Sequence, residues 1–294
     1  MLDFRIDTFL CVCKEMNFTH AADKLNITQP AVSQHIKYLE KEYKTKLFIQ
    51  DGKKLYLTDS GKLLYRKMNQ IKNDEGKLKI FLKDSDHENS KLTFGVTMTI
   101  GEYAISAPIS KYLKLYPESN IEIHFGNTKE LLNDLHEGII DFALVEGYFP
   151  EKNYETMVFK SEEFIPVCAY NHEFKKKPHR LKDLFDERLL VREQGSGTRN
   201  ILERVLAVQN YDITNFPHYI QVENMHMINQ LLILDCGISF LYKAAVEKEL
   251  DDKLIRQIPL KDFDIKHDFT FIWPQDSIFS KSIEKSCKEI MQCL

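Results

Sequence analysis

The first 58 residues show three short stretches of helical period. Leu2, Ile6, Phe9, Leu10 and Cys13 recur at i, i+4, i+7, i+8 and i+11 and form one apolar stripe. After the polar break at Asn17, Thr19 is the expected N-cap of a short helix in which Ala21, Ala22 and Leu25 admit a closely crossing neighbour. Asn26-Ile27-Thr28 reads as a turn. Thr28 then caps a third helix whose first turn holds Gln29 and Pro30, a place where the missing N–H of proline costs nothing. Val32, Ile36 and Leu39 face the core, which leaves Gln29, Ser33, Gln34 and Lys37 on the outer face.

From Thr58, an expected N-cap, the chain runs to about residue 84 without proline. Leu64, Met68, Ile71, Leu78 and Leu82 form a heptad-like seam along it. The seam predicts a dimerising helix, although an amphipathic helix packed on its own domain gives the same pattern. Glu75 on the seam, with Asn73, Asp74 and Gly76, makes a long coiled coil the less favoured form. Residues 84–91 are entirely polar and mark an interdomain hinge.

Beyond the hinge, 92–96, 121–125 and 142–145 read as short buried strands, and 100–116 and 129–138 as helices between them. A second series follows, with strands at 189–192, 219–222 and 238–241 and helices at 196–209 and 224–234. Such alternation predicts a parallel α/β sheet in two subdomains.

Composition excludes several classes without choosing among the rest. A net charge of −4 argues against nucleic-acid binding over the whole surface, yet residues 1–58 carry nine Lys plus Arg against seven Asp plus Glu. The start MLDFRIDTFL lacks the basic region of a secretory signal, and no apolar run is long enough to span a membrane, so a cytoplasmic protein is expected. Six cysteines (11, 13, 168, 236, 287 and 293) show no CxxC spacing and are expected to be reduced; a redox pair of Cys168 with Cys236 has no local support. The ten histidines, His136, His172 and His226 among them, stand singly. No HExxH, Walker A or nucleophile-elbow motif is present, so neither an enzyme nor a metal or other cofactor is expected.

The polar outer face of the third helix suits base reading in a major groove, since Gln bonds adenine in a bidentate way, Ser serves either kind of base edge, and Lys reaches guanine or phosphate. A solvated surface helix would look the same. Two short helices, a three-residue turn and a third helix within some 40 residues favour DNA binding.

The run from Ala21 to Glu40, AADKLNITQPAVSQHIKYLE, followed by Leu47-Phe48, closely resembles the helix-turn-helix signature of the LysR family of transcriptional regulators. Leu57-Thr58-Asp59-Ser60-Gly61 resembles that family's junction of wing and linker, which implies a wing hairpin over 48–57 around Asp51-Gly52. Tyr43-Lys44 replaces the usual Leu-Gly, and Gln50 stands where an arginine often sits, a departure for which Lys53 and Lys54 can compensate at the phosphate backbone. The expected DNA-contacting set is Thr28, Gln29, Pro30, Ser33, Gln34, Lys37, Lys53 and Lys54.

The resemblance implies a two-part chain: an all-α winged helix-turn-helix, and an α/β domain of two lobes like a periplasmic binding protein, with a ligand between them. The expected boundaries are 1–58 for DNA binding, 59–86 for the linker and 87–294 for effector binding. Lobe I takes about 92–160 and 267–294, and lobe II about 161–266, with crossings near 155–166 and 261–273. Expected partners are double-stranded promoter DNA, a small effector and further copies of the chain in a homodimer or homotetramer.

Ligands of open α/β sheets sit beyond the carboxyl ends of the strands. Two such loops stand out: Thr97-Met98-Thr99, and Ser196-Gly197-Thr198-Arg199 with its preceding Glu193-Gln194-Gly195. Thr128 adds a third hydroxyl. Glycines allow close approach, helix starts supply partial positive charge, and Arg199 is able to pair with an oxyanion, so a small anion is the expected effector. A plain capped turn with a solvated Arg199 is the bland alternative. A solute binder or enzyme on the same fold, and an architectural DNA-binding protein without a ligand, are the rival functions. The first lacks catalytic motifs, and the second has no use for some 200 residues of α/β sequence.

Overall fold

The computed structural model describes residues 3–52, 54–82 and 91–294, with no side chains described at 80 and 81. Leu2, Lys53 and residues 84–90 of the hinge, all used above, lie outside the described residues. The chain forms two compact units, the first essentially its amino-terminal 88 residues and the second the remainder. Among the described residues no helix is long and apolar enough to cross a membrane.

In the first unit, α1 (Phe4–Glu15), α2 (Phe18–Leu25) and α3 (Gln29–Glu42) precede the strands β1 (Phe48–Asp51) and β2 (Lys54–Leu57), and α4 (Asp59–Phe81) follows. Ile6, Phe9, Leu10, Val12 and Cys13 of α1 pack with Ala21 and Ala22 of α2 and Val32, Ile36 and Leu39 of α3, as their spacing requires. Phe48 closes this core edge-on to Phe9, with ring centroids 5.7 Å apart. The cap of α2 is Asn17 rather than the expected Thr19. From extended backbone, its Oδ1 accepts from Thr19 N at 2.8 Å and His20 N at 3.2 Å. A short amide side chain just outside the helix satisfies two first-turn N–H groups, leaving Thr19 inside. Thr28 caps α3 as expected, through Ala31 N at 3.4 Å.

The hairpin pairs antiparallel from Phe48↔Leu57 to Asp51↔Lys54. Glu40 ties α3 to its base, with Oε1 accepting from Leu47 N at 3.0 Å and Oε2 from Lys46 Nζ at 2.7 Å. Thr58 caps α4 through Gly61 N at 2.9 Å and donates its hydroxyl to Lys46 O at 2.6 Å. The seam expected along α4 divides. Leu64 and Met68 pack on the unit's own core, while Ile71, Leu78 and Leu82 stay exposed together with Leu63. The first turns thus serve the domain that precedes them, and the remaining turns keep an apolar stripe.

The second unit contains β3 (Leu92–Thr97), α5 (Met98–Tyr103), α6 (Ser106–Leu115), β4 (Ile121–Gly126), α7 (Thr128–Glu137), β5 (Phe142–Val145) and β6 (Tyr154–Ala169). There follow β7 (Leu189–Val191), α8 (Gly197–Val208), β8 (Tyr219–Gln221), α9 (Met225–Ile233), β9 (Ser239–Tyr242), α10 (Glu247–Asp251), β10 (Ile255–Gln257), β11 (Ile265–Pro274) and α11 (Ser280–Met291). The helix expected over 100–116 breaks in two. Pro108 has no N–H for the carbonyl of Ala104, so it is accommodated only in the first turn of a new helix, α6.

The sheet is mixed rather than parallel. β3 pairs parallel with β4 and β5, but β11 runs antiparallel to both β5 and β6, and β6 is antiparallel to β9 and β10. The two long strands carry the chain across and back, which short alternating segments do not reveal. Phe94 and Phe142 stack at 4.8 Å at the centre of the first α/β half, with Phe271 edge-on at 5.8 Å. In the other half, β7 pairs parallel with β8 over a core that includes Val167, Leu190, Met225, Ile228 and Leu241.

The junction of hairpin and linker yields a stability prediction. A Cβ on Gly61 would lie 2.2 Å from the Leu47 carbonyl oxygen, a backbone atom with little room to yield. Gly61→Ala should therefore cost about 2–3 kcal/mol through overpacking, and Thr58→Ala about 1 kcal/mol through loss of the cap. Denaturant titration of the full chain measures both, and a Gly61→Ala variant as stable as the parent would contradict this packing.

Candidate functional site

Two clusters answer to the expected chemistry, one in each unit. On α3, Val32, Ile36 and Leu39 are buried, and Gln29, Pro30, Gln34 and Lys37 are exposed with Ser33 half-buried. Gln29 Nε2 donates to Ser33 Oγ at 3.1 Å, so two of the expected base readers are linked across one helical turn. Thr28 is exposed at the helix start, and Lys54 at the end of the hairpin. Gln50, in place of an arginine, donates to Gly52 O at 3.2 Å and braces the turn.

The contacts that hold α3 in place are not visible in the sequence pattern. His35 Nδ1 lies 2.9 Å from Thr8 Oγ1, and its ring meets Phe4 edge-on at 5.0 Å. The Arg5 guanidinium covers the Tyr38 ring at 4.0 Å. These contacts all run from α1 to the flanks of α3 and leave the outer face clear. His35 stands one residue after Gln34, off the apolar stripe, and nothing in the sequence pattern shows that Thr8 faces it.

In the second unit the loops after β3 and β5 meet the start of α8. Thr97, Thr99, Thr128, Ser196 and Thr198, expected from sequence, are all nearly inaccessible. What brings them together is a residue the sequence reading overlooked, Glu146, which follows β5 directly and is 1% exposed. Its Oε1 accepts from Thr198 Oγ1 at 2.7 Å and Thr99 Oγ1 at 2.9 Å, and its backbone carbonyl accepts from Thr128 Oγ1 at 2.8 Å. A charged residue immediately after the fully buried run Phe142–Val145 was the available signal.

Gly197 is required by this approach, since a Cβ on it would stand 2.4 Å from the Glu146 carbonyl oxygen. Burial pushes the Glu146 carboxyl above its ordinary range. The hydroxyls of Thr198 and Thr99 and the charge of Arg192 offset this in part. Among the described residues, Glu146 Oε2, Thr97 Oγ1 and Ser196 Oγ are buried without a well-formed hydrogen bond. Ser196 occupies the N-cap position of α8 but makes no capping bond, so the first-turn N–H groups of that helix have no side-chain acceptor.

Two of the expected ligand contacts have other partners within the chain. Arg199 is expected to pair with an oxyanion. Instead its Nε bonds Glu203 at 2.7 Å, and its Nη1 bonds Gln221 Oε1 at 2.7 Å and Arg192 O at 3.1 Å. One helical turn separates Arg199 from Glu203, and β7 and β8 lie beside it, so the guanidinium is drawn into bracing α8. Met98 packs on the apolar cluster around Leu190 and Met225, because an unbranched thioether fills that core better than it binds a charge.

Both parts of the chain match known protein families. The family pattern "Bacterial regulatory helix-turn-helix protein, lysR family" matches residues 5–62, and "LysR substrate binding domain" matches residues 85–286. The chain is 30% identical to the HTH-type transcriptional regulator CysL of Bacillus subtilis over 270 residues, 91% of this chain and 89% of that one. Among solved structures, full-length LysG of Corynebacterium glutamicum is similar with a TM-score of 0.64 at 15% identity, covering 100% of this chain and 98% of LysG. The Synechocystis CcmR regulatory domain is similar with a TM-score of 0.59 at 18% identity, covering 69% of this chain and 97% of that domain. The chain therefore belongs to the LysR family, as a DNA-binding transcriptional regulator with an effector-binding domain rather than an enzyme.

Proposed function

We propose that the chain acts as a cytoplasmic homodimer or homotetramer that reads promoter DNA with α3 and responds to a small molecule held at the Glu146 cluster. Residues 1–58 bind DNA, 59–86 link and dimerise, and 87–294 sense, with lobe I at about 92–160 and 267–294 and lobe II at about 161–266. Gln29, Ser33, Gln34 and Lys37 contact base edges, Thr28 and Pro30 set the start of the reading helix, and Lys53 and Lys54 meet phosphate. The exposed stripe Leu63, Ile71, Leu78 and Leu82 supports dimerisation through α4.

The observation that carries the effector site is the set of buried, unsatisfied polar atoms around Ser196, Thr97 and Glu146. Donors among them, together with the first turn of α8, suit an anionic group on the effector. The structures of two similar proteins contain small polar molecules, LysG with "bound effector Arg" and CcmR with 2-PG, which supports an effector of that size.

Three outcomes test this reading. In a gel shift on the chain's own upstream DNA, log K should fall against log salt with a slope of about −5, if Lys37, Lys53 and Lys54 of each subunit in a dimer neutralise one phosphate each. A slope near zero would remove the DNA-contact assignment. Thr198→Ala should keep promoter binding and lose the effector-dependent change in a reporter strain; an unchanged response would remove the effector assignment. The third concerns Glu146. Because its carboxyl is raised on folding, the stability it contributes is fully present below its ordinary value of 4.5 and is lost as pH rises through the raised folded-state value. Glu146→Gln should thus melt above the parent at neutral pH by about 2–4 °C for each kcal/mol recovered, with the gap closing below pH 4.5. A gap independent of pH would show that this carboxyl carries no such cost.

A further inference from the structure

The anionic group proposed above leaves Glu146 unexplained, because a purely anionic molecule would bring like charge to a buried carboxylate. We infer that the effector is a small zwitterion of the amino-acid type, with its ammonium on Glu146 and its carboxylate on Ser196 and the first turn of α8. This inference rests on the effector reading and narrows it to one chemical class.

Glu146 is 1% exposed, and all its hydrogen bonding falls on one oxygen. Oε2 makes no well-formed hydrogen bond, the Thr97 hydroxyl interacting with the carboxyl only weakly, and no described cation bonds the group. Arg192 is near enough to act on it electrostatically; its Nε and Nη2 bond Glu193 at 2.8 and 3.1 Å, and its Nη1 is buried without a hydrogen bond to Glu146 or any other described group. A carboxylate so placed is stabilised by an incoming group that donates hydrogen bonds and carries positive charge. An ammonium does both.

The opposite demand stands two residues before Thr198. Ser196 Oγ is 2% exposed and unpartnered, and it stands at the head of a twelve-residue helix whose N-cap bond it does not make. Thr97 Oγ1 is a second buried hydroxyl without a well-formed bond, close enough to act on the Glu146 carboxyl. These atoms, with the α8 amides, accommodate an acceptor carrying negative charge. Thr198 bonds Glu146 directly at 2.7 Å, so the cation-seeking and anion-seeking groups are separated by two residues along the chain. That proximity suits charges a few bonds apart on one small molecule. The close Gly147 and Gly197 backbones limit its bulk.

The test is thermal unfolding and calorimetric titration of the full chain against four sets of probes. These are the free proteinogenic L-amino acids, their N-acetyl forms with only the negative charge, their C-terminal amides with only the positive charge, and inorganic sulfate and phosphate. At least one free amino acid should raise the melting temperature by several degrees at saturation, while its N-acetyl form and its amide bind at least tenfold more weakly. Glu146→Gln should stay folded by circular dichroism and weaken that amino acid roughly 10- to 100-fold, as expected for loss of a charge-assisted bond. Ser196→Ala should weaken it while leaving the amide's affinity unchanged. An N-acetyl form or an inorganic anion that binds as tightly as the free amino acid would overturn the inference and leave an anion effector standing. So would the absence of a response to every amino acid. In both cases the Thr198→Ala reporter experiment still decides the effector reading independently.

Discussion

The carboxylate of Glu146 is the group around which the sensing unit is arranged. Strands β3 and β5 end beside it, α7 begins by bonding its carbonyl through Thr128, and α8 reaches its side chain through Thr198. Burying such a charge costs free energy that hydrogen bonds recover only in part. Here one oxygen is fully served and the other is not. The backbones are drawn close enough that Gly197 tolerates no side chain. An arrangement of this kind is held together by polar contacts it does not complete, and a ligand completing them alters its free energy strongly.

The reading helix obeys the complementary constraint. Its apolar side is immobilised by α1 and α2, and His35 and Tyr38 on its flanks take contacts from Thr8 and Arg5, so the described contacts from α1 fix α3 without engaging Gln29, Gln34 or Lys37. Base reading needs side chains free to bond on a backbone that is not free to move. Glu40 extends the same logic to the hairpin, since its carboxylate holds Leu47 N and so fixes where β1 begins.

Most of the first unit was legible in sequence because its elements are helices, whose 3.6-residue period is written in consecutive positions. The core stripe of α1, the turn at Asn26 and the face of α3 all follow from local spacing. The errors there were of one residue type or register: Asn17 rather than Thr19 at a cap, and Leu64 and Met68 spent on their own core. The second unit was legible in its parallel strands and in the hydroxyl-bearing loops after them. β6 and β11 lie at the crossings that the family resemblance implies, near 155–166 and 261–273, but their antiparallel pairing spans about a hundred residues and leaves no periodic trace. The partners of Arg199 were not legible for the same reason. Arg192 directly follows β7 and Gln221 ends β8, and the proximity of these strands depends on topology, so a charge able to meet an oxyanion looked free until the fold supplied other acceptors.

An effector changes the behaviour of a regulator only through a difference in its affinity for two arrangements of the chain. In the proposed site that difference comes from groups on loops distant in sequence, at residues 97–99, 146 and 196–198. With those loops together, as the Thr99–Thr198 and Thr198–Glu146 contacts hold them, a ligand is offered the unserved oxygen of Glu146 and the hydroxyl of Ser196. With the loops apart, the same ligand meets either the carboxylate or the helix start, and loses the other bond. A molecule carrying both charges therefore favours the assembled form by two charge-assisted bonds, whereas one carrying a single charge favours it by one at most. In the proposed site Glu146, more than any hydroxyl around it, sets both the class of molecule bound and the free energy that binding makes available for switching.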